Sequence, residues 1–91
     1  MSEIKLNNDT SVQASLGLMA LKNLRHKDKD LYKDVNRILF EGTKNIEDLT
    51  TAIYAGYVAC YKDKPEYSLE EFTKLLPDSV SELAAVFKRM I

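Results

Sequence analysis

Between Ile46 and Tyr61 the chain reads IEDLTTAIYAGYVACY, and apolar positions fall there on nearly every side of a helix. Ile46, Leu49, Ile53, Tyr57 and Cys60 recur at helical spacing and make one stripe, while Tyr54, Val58 and Tyr61 make a second. Ala52, Ala55, Gly56 and Ala59 fill the spaces between them. A surface helix needs only one apolar stripe. This helix is therefore expected to be buried on most sides, or on one side by another molecule. Asn45 is its expected N-cap, with Glu47 and Asp48 opposing the positive end of the helix dipole.

The other elements are shorter. In residues 1–14, Ile4 and Leu6 alternate with polar neighbours, Asn7-Asn8-Asp9 is a turn signal, and Val12 and Ala14 alternate again. The pattern predicts a short β-hairpin, with a loose arm leading to a helix capped near Thr10 or Ser11 as the alternative. Leu16, Met19, Ala20 and Leu24 keep helical spacing, widened by Leu18 and Leu21, and the charge run Arg25–Asp30 reads as an exposed connection. A second helix begins near Asp30, carries Leu31, Val35, Ile38 and Leu39, and ends where Gly42 can take a left-handed backbone.

After the third helix, Lys62–Glu66 is a polar loop containing Pro65. Ser68 with Glu71 then predicts a capping box, and Tyr67 with Phe72 a hydrophobic staple. That helix buries Leu69, Phe72, Leu75 and Leu76 and stops before Pro77. Ser79 with Glu82 predicts a second capping box, opening a last helix with Leu83, Val86, Phe87 and Met90. The expected fold is mainly α, a small bundle of four to five helices in one domain over residues 1–91, preceded by the hairpin or arm. Short connections favour antiparallel neighbours.

Composition narrows the function classes. A chain of 91 residues buries only about 60–70% of its unfolded surface, so it gains from a partner or from self-association. The net charge of −1 lacks the basic footprint of a nucleic-acid binder. In the densest basic segment Lys22, Arg25, Lys27, Lys29 and Lys33 are interleaved with Asp28, Asp30 and Asp34, a solvated mixed-charge pattern. A helix-turn-helix over Ser68–Arg89 would need a basic reading helix. Lys88 and Arg89 are more simply explained as cations at the negative end of a helix. Cys60 is the single cysteine, which fits a reducing cytoplasm. MSEIKLNND lacks the features of a signal peptide, and the central helix is shorter than the ~20 apolar residues a span needs. A soluble, cytosolic protein without a membrane role is expected.

Candidate chemistry is sparse. His26 is the single histidine and has no cysteine cluster near it in sequence, whereas zinc takes three or four protein ligands. Glu47/Asp48 and Glu70/Glu71 fall in first helical turns, where capping and dipole roles account for them. Asp78-Ser79-Val80 is similar to the Asp-Ser-Leu at which acyl carrier proteins attach phosphopantetheine. In that family a large acidic part of the domain follows the serine; this chain is nearly neutral, and Ser79 reads as a helix cap. No enzyme, metal or cofactor is expected. Gly56, unfavourable in mid-helix by about 1 kcal/mol, gives with Ala52, or Ala55 with Ala59, a small-residue face open to close approach by another helix of the chain or by a partner's helix.

The order of features supplies a family. A helix of ALKNL type, a helix ending in Phe40-Glu41-Gly42, the central Ile53-Tyr54-Ala55-Gly56-Tyr57, then Tyr67-Ser68-Leu69-Glu70-Glu71-Phe72 and Leu83-Ala84-Ala85-Val86-Phe87 follow one another. Together they resemble the tail assembly chaperones of long-tailed bacteriophages and prophages, over most of the chain. Ala55-Gly56 after Tyr54 is the most specific mark. The resemblance implies a non-enzymatic protein of the bacterial host's cytoplasm, absent from the mature virion and in many cases also made as a longer frameshifted form. Such proteins bind the tape measure protein and help recruit tail tube subunits. Tyr54, Gly56, Tyr57, Val58 and Tyr61, with Phe87 and Met90 added, are the expected protein-binding residues, with core filling as the other reading for each. A small helical regulator binding nucleic acid or another protein is the alternative function.

Overall fold

In a computed structural model, which describes residues 2–61 and 66–91, the alternation at the start of the chain closes as a hairpin. Strands β1 (Ser2–Lys5) and β2 (Ser11–Ala14) pair antiparallel with Ile4 opposite Val12. Asp9 takes the left-handed backbone of the turn, at φ 63°, where a short polar side chain is tolerated. Ile4, Leu6, Val12 and Ala14 are all buried, so the apolar face of the hairpin is part of the core. A two-stranded hairpin is marginal in water on its own; here the helices cover it.

Five helices follow: α1 (Leu18–Lys27), α2 (Lys29–Glu41), α3 (Ile46–Ala59), α4 (Leu69–Leu75) and α5 (Val80–Met90). Each predicted cap residue serves as a cap. Asn45 Oδ1 accepts from Asp48 N–H at 2.8 Å, and Gly42 ends α2 at φ 87° with its N–H on Ile38 C=O. Ser68 and Glu71 exchange both bonds of a capping box. At α5 only the first half of the predicted box is made, Ser79 Oγ accepting from Glu82 N–H at 3.4 Å. Residues 62–65 of the predicted polar loop lie outside the described residues.

One expectation is corrected: α1 starts at Leu18 rather than upstream, with Gly17 as its N-cap. Leu16 is buried but precedes the helix, while Leu18 and Met19 are 72% and 68% exposed. Only Leu24 is fully buried on α1, flanked by Ala20 and Leu21. The expected exposed connection shrinks to Asp28, which ends α1 and caps α2 by accepting from Leu31 N–H at 3.0 Å.

Helices α3 and α5 pack against each other, and the segment after β2 ties their C-terminal ends together. Consecutive amides leaving β2 cap both C-termini: Ser15 N–H donates to Gly56 C=O at 3.2 Å and Leu16 N–H to Met90 C=O at 2.9 Å. Terminal helical carbonyls have no partner within their own helix, so one extended segment satisfies two helix ends at once. The core gathers around α3, which touches α1, α2, α4, α5 and β2. Most of both apolar stripes is thereby used inside the molecule, with Ile46 left exposed at the start of α3, the first of the two outcomes its pattern allowed.

Candidate protein-binding groove

The seven expected contact residues separate into two groups. Gly56, Tyr57, Val58 and Met90 are buried in the fold, so they are not available to a partner docking on its surface. Tyr54, Tyr61 and Phe87 are partly buried.

Gly56 is explained by its neighbours. A Cβ placed there would overlap Met90 Cε and sit 3.3 Å from both the backbone N and O of Ser15. The small-residue face does receive a close approach, from the segment after β2 and the end of α5 rather than from another helix laid across it.

Tyr57 is the hub of an aromatic cluster. Its ring stacks on Phe72 at 4.6 Å between centroids and 17° between planes, meets Tyr61 edge-on at 4.7 Å, and lies 6.2 Å from Tyr67. Tyr54 also packs on Phe72, at 5.5 Å. The predicted staple pair, Tyr67 and Phe72, thus meet on a third ring. The hydroxyls are placed as carefully as the rings: Tyr57 Oη accepts from Tyr67 N–H at 3.2 Å, and Tyr54 O–H donates to Tyr67 C=O at 2.9 Å. Burial pushes both phenols above the ordinary tyrosine range, with the Tyr61 hydroxyl adding to the shift at Tyr57 and nearby Asp28 and Glu71 to that at Tyr54. The Tyr54-to-Tyr57 motif and the Tyr67-to-Phe72 motif are therefore one packed unit.

Exposed apolar side chains lie elsewhere, singly at Phe40 on α2 and Leu69 on α4, paired at Leu18 and Met19 on α1, and gathered into a groove beside α5. Val80, Ala84, Phe87 and Ile91 recur along one side of α5, next to the buried stripe of Leu83, Val86 and Met90. Across from them stand Ile46 and Leu49 at the start of α3. The groove between the two walls has a volume of about 600 Å³. Val80 is 64% exposed, Ile91 63% and Ile46 46%. Lys44 and Lys88 line it too, Lys44 reaching Glu41 at 3.6 Å. No family model, curated protein or solved structure matches the chain.

Its α3 wall is held by an ion pair that sequence reading missed. Asp48, the buried charged residue among those described, accepts from Arg37 Nη2 at 3.1 Å and from Lys44 N–H at 3.1 Å. The Lys44 amide and then the Arg37 guanidinium hold its carboxyl below the usual range. Arg37 sits on α2 and no local motif links it to Asp48. The groove does have a signal in sequence, since Val80, Ala84, Phe87 and Ile91 have helical spacing, but of these only Phe87 is among the expected contact residues.

A second cavity of about 570 Å³ is lined by His26, Lys27, Cys60 and Tyr61 together with exposed Leu18 and Met19. Burial raises the Cys60 thiol above its ordinary value, opposite to what a reactive thiolate needs. No group of three or more metal-ligating side chains occurs among the described residues, and no helix among them is long and apolar enough to cross a membrane.

Proposed function

We propose that this chain is a tail assembly chaperone of a long-tailed phage or prophage. It would bind the tape measure protein and help bring tail tube subunits to it in the host cytoplasm, before leaving the completed particle. The order of motifs supports the family. The observation that carries protein binding is the groove between α3 and α5, where Ile46, Val80, Phe87 and Ile91 are left to solvent or half-covered. An amphipathic helix can lay its apolar face into such a groove through anchors spaced one turn apart. The tape measure protein, long and helical in the family resembled, offers many such faces. The contact surface is therefore the outer stripe of α5, not the Tyr57 side of α3.

Co-expression of the chain with a tape measure fragment tests both levels. The expected result is a soluble fragment that co-elutes with the wild-type protein and precipitates when Val80→Asp is used instead. A fragment that stays insoluble with wild-type protein removes the chaperone reading. A fragment rescued equally by both proteins keeps it and removes the groove.

A further inference from the structure

Strand β1 has an unused edge, and its chemistry is self-complementary. Leu6 N–H donates to Thr10 C=O at 2.8 Å, which assigns the even-numbered residues of β1 to bonding with β2. Odd-numbered backbone groups point the other way: Asn7 N–H reaches Leu75 C=O, and Ser15 N–H reaches Gly56 C=O. Glu3 and Lys5 share that parity, and outside the hairpin their backbone groups meet no partner among the described residues. Their side chains are exposed, while Ile4 between them is buried.

The geometry points to a two-fold dimer in which this edge of β1 pairs antiparallel with the same edge of a second copy, making a four-stranded sheet. Hydrogen-bonded pairs across the new ladder must join outward-facing residues. The register centred on Ile4 does so and sets Glu3 of each copy opposite Lys5 of the other. The registers centred on Glu3 or on Lys5 place like charges face to face, which is destabilising for directly opposed cross-strand residues.

The helix beside this edge obeys the same symmetry. Glu82, Ala85 and Arg89 of α5 line a cleft of about 530 Å³ together with Glu3, Ile4 and Lys5. Ala85 lies near the middle of that stripe, with acid at one end and base at the other. A two-fold axis at the paired Ile4 residues brings the two α5 helices past one another antiparallel, with the small Ala85 side chains nearest the axis and Glu82 facing Arg89 of the second copy. Glu3, Lys5, Glu82 and Arg89 form no ion pair within the chain among the described residues. An isologous interface requires this kind of patch, complementary to itself after rotation. It lies apart from the α3–α5 groove, so it stands or falls independently of the proposed function.

Sedimentation equilibrium of the full chain, from about 10 μM to about 1 mM to cover a small interface, should show a monomer–dimer equilibrium. Lys5→Glu, which opposes acid to acid twice, should raise the dimer Kd about tenfold. The double exchange Glu3→Lys with Lys5→Glu restores opposite charges and should return the Kd to within about threefold of wild type. A monomer at every concentration overturns the proposal. So does a dimer indifferent to Lys5→Glu, or one that the double exchange fails to recover.

Discussion

Tyr57 and Phe87 are both aromatic residues on apolar helical stripes, and they end in opposite settings. Tyr57 is fully buried against Phe72, Tyr61 and Tyr67, and its hydroxyl accepts the Tyr67 amide. Phe87 is half-covered, on the rim of a groove where Val80, Ile91 and Ile46 remain open. Apolar spacing alone does not separate the two. The polar atoms do: the tyrosine cluster sits where Tyr67 N–H and C=O need partners at the approach to α4, and the hydroxyls of Tyr54 and Tyr57 supply them. The α5 groove brings no such demand, and its apolar atoms face solvent.

The largest effect that could break this contrast comes from the cluster. Phe72→Ala should cost about 3–5 kcal/mol, the range for deleting a fully buried aromatic ring. Urea unfolding of the variant checks it. A cost below about 1 kcal/mol would mean the site collapses freely and the cluster is not a packed core.

A smaller change tests the hydroxyl alone. Tyr57→Phe keeps the ring and leaves Tyr67 N–H without its acceptor, which should cost about 1–2 kcal/mol at neutral pH. It should also alter the alkaline limit. The folded state holds Tyr57 above its unfolded value of 10.0, so its contribution is intact below pH 10 and declines as pH rises beyond it, where the unfolded chain ionises first. Tyr54 shifts in the same direction. Wild type should therefore lose stability more steeply above pH 10 than Tyr57→Phe, as thermal melts across that range would show.

Local chemistry explains which features were legible in sequence. The Asn45 cap, the Ser68–Glu71 capping box and the positive φ at Gly42 depend on residues within one helical turn, and each appears where the pattern placed it. The hairpin follows from alternation around a turn signal. What failed depends on partners far along the chain. Leu16 keeps helical spacing with Ala20, yet its amide serves the C-terminus of α5, which holds it outside α1. Arg37 and Asp48 are joined only once α2 folds back on α3. For Tyr57 and Val58 the pattern leaves core filling and partner contact both open, because the sequence does not say how many elements surround α3. Five do. The groove was half-legible: its stripe on α5 has regular spacing, but that stripe is exposed only because Leu83, Val86 and Met90 turn the other side of α5 inward.

The smallest expected effect bears on that last point. Val80→Ser removes an apolar side chain from the first position of α5 while leaving the Ser79 cap in place. Val80 is 64% exposed, so the change should move unfolding free energy by no more than about 0.5 kcal/mol, as surface substitutions usually do. The near-silence is the informative result. Equal stability alongside weaker capture of a tape measure fragment would mean that the outer stripe of α5 serves binding rather than folding. A loss above about 1 kcal/mol would mean instead that Val80 belongs to the core in solution. The groove would then be closed in the free protein, and the contrast between Tyr57 and Phe87 would disappear.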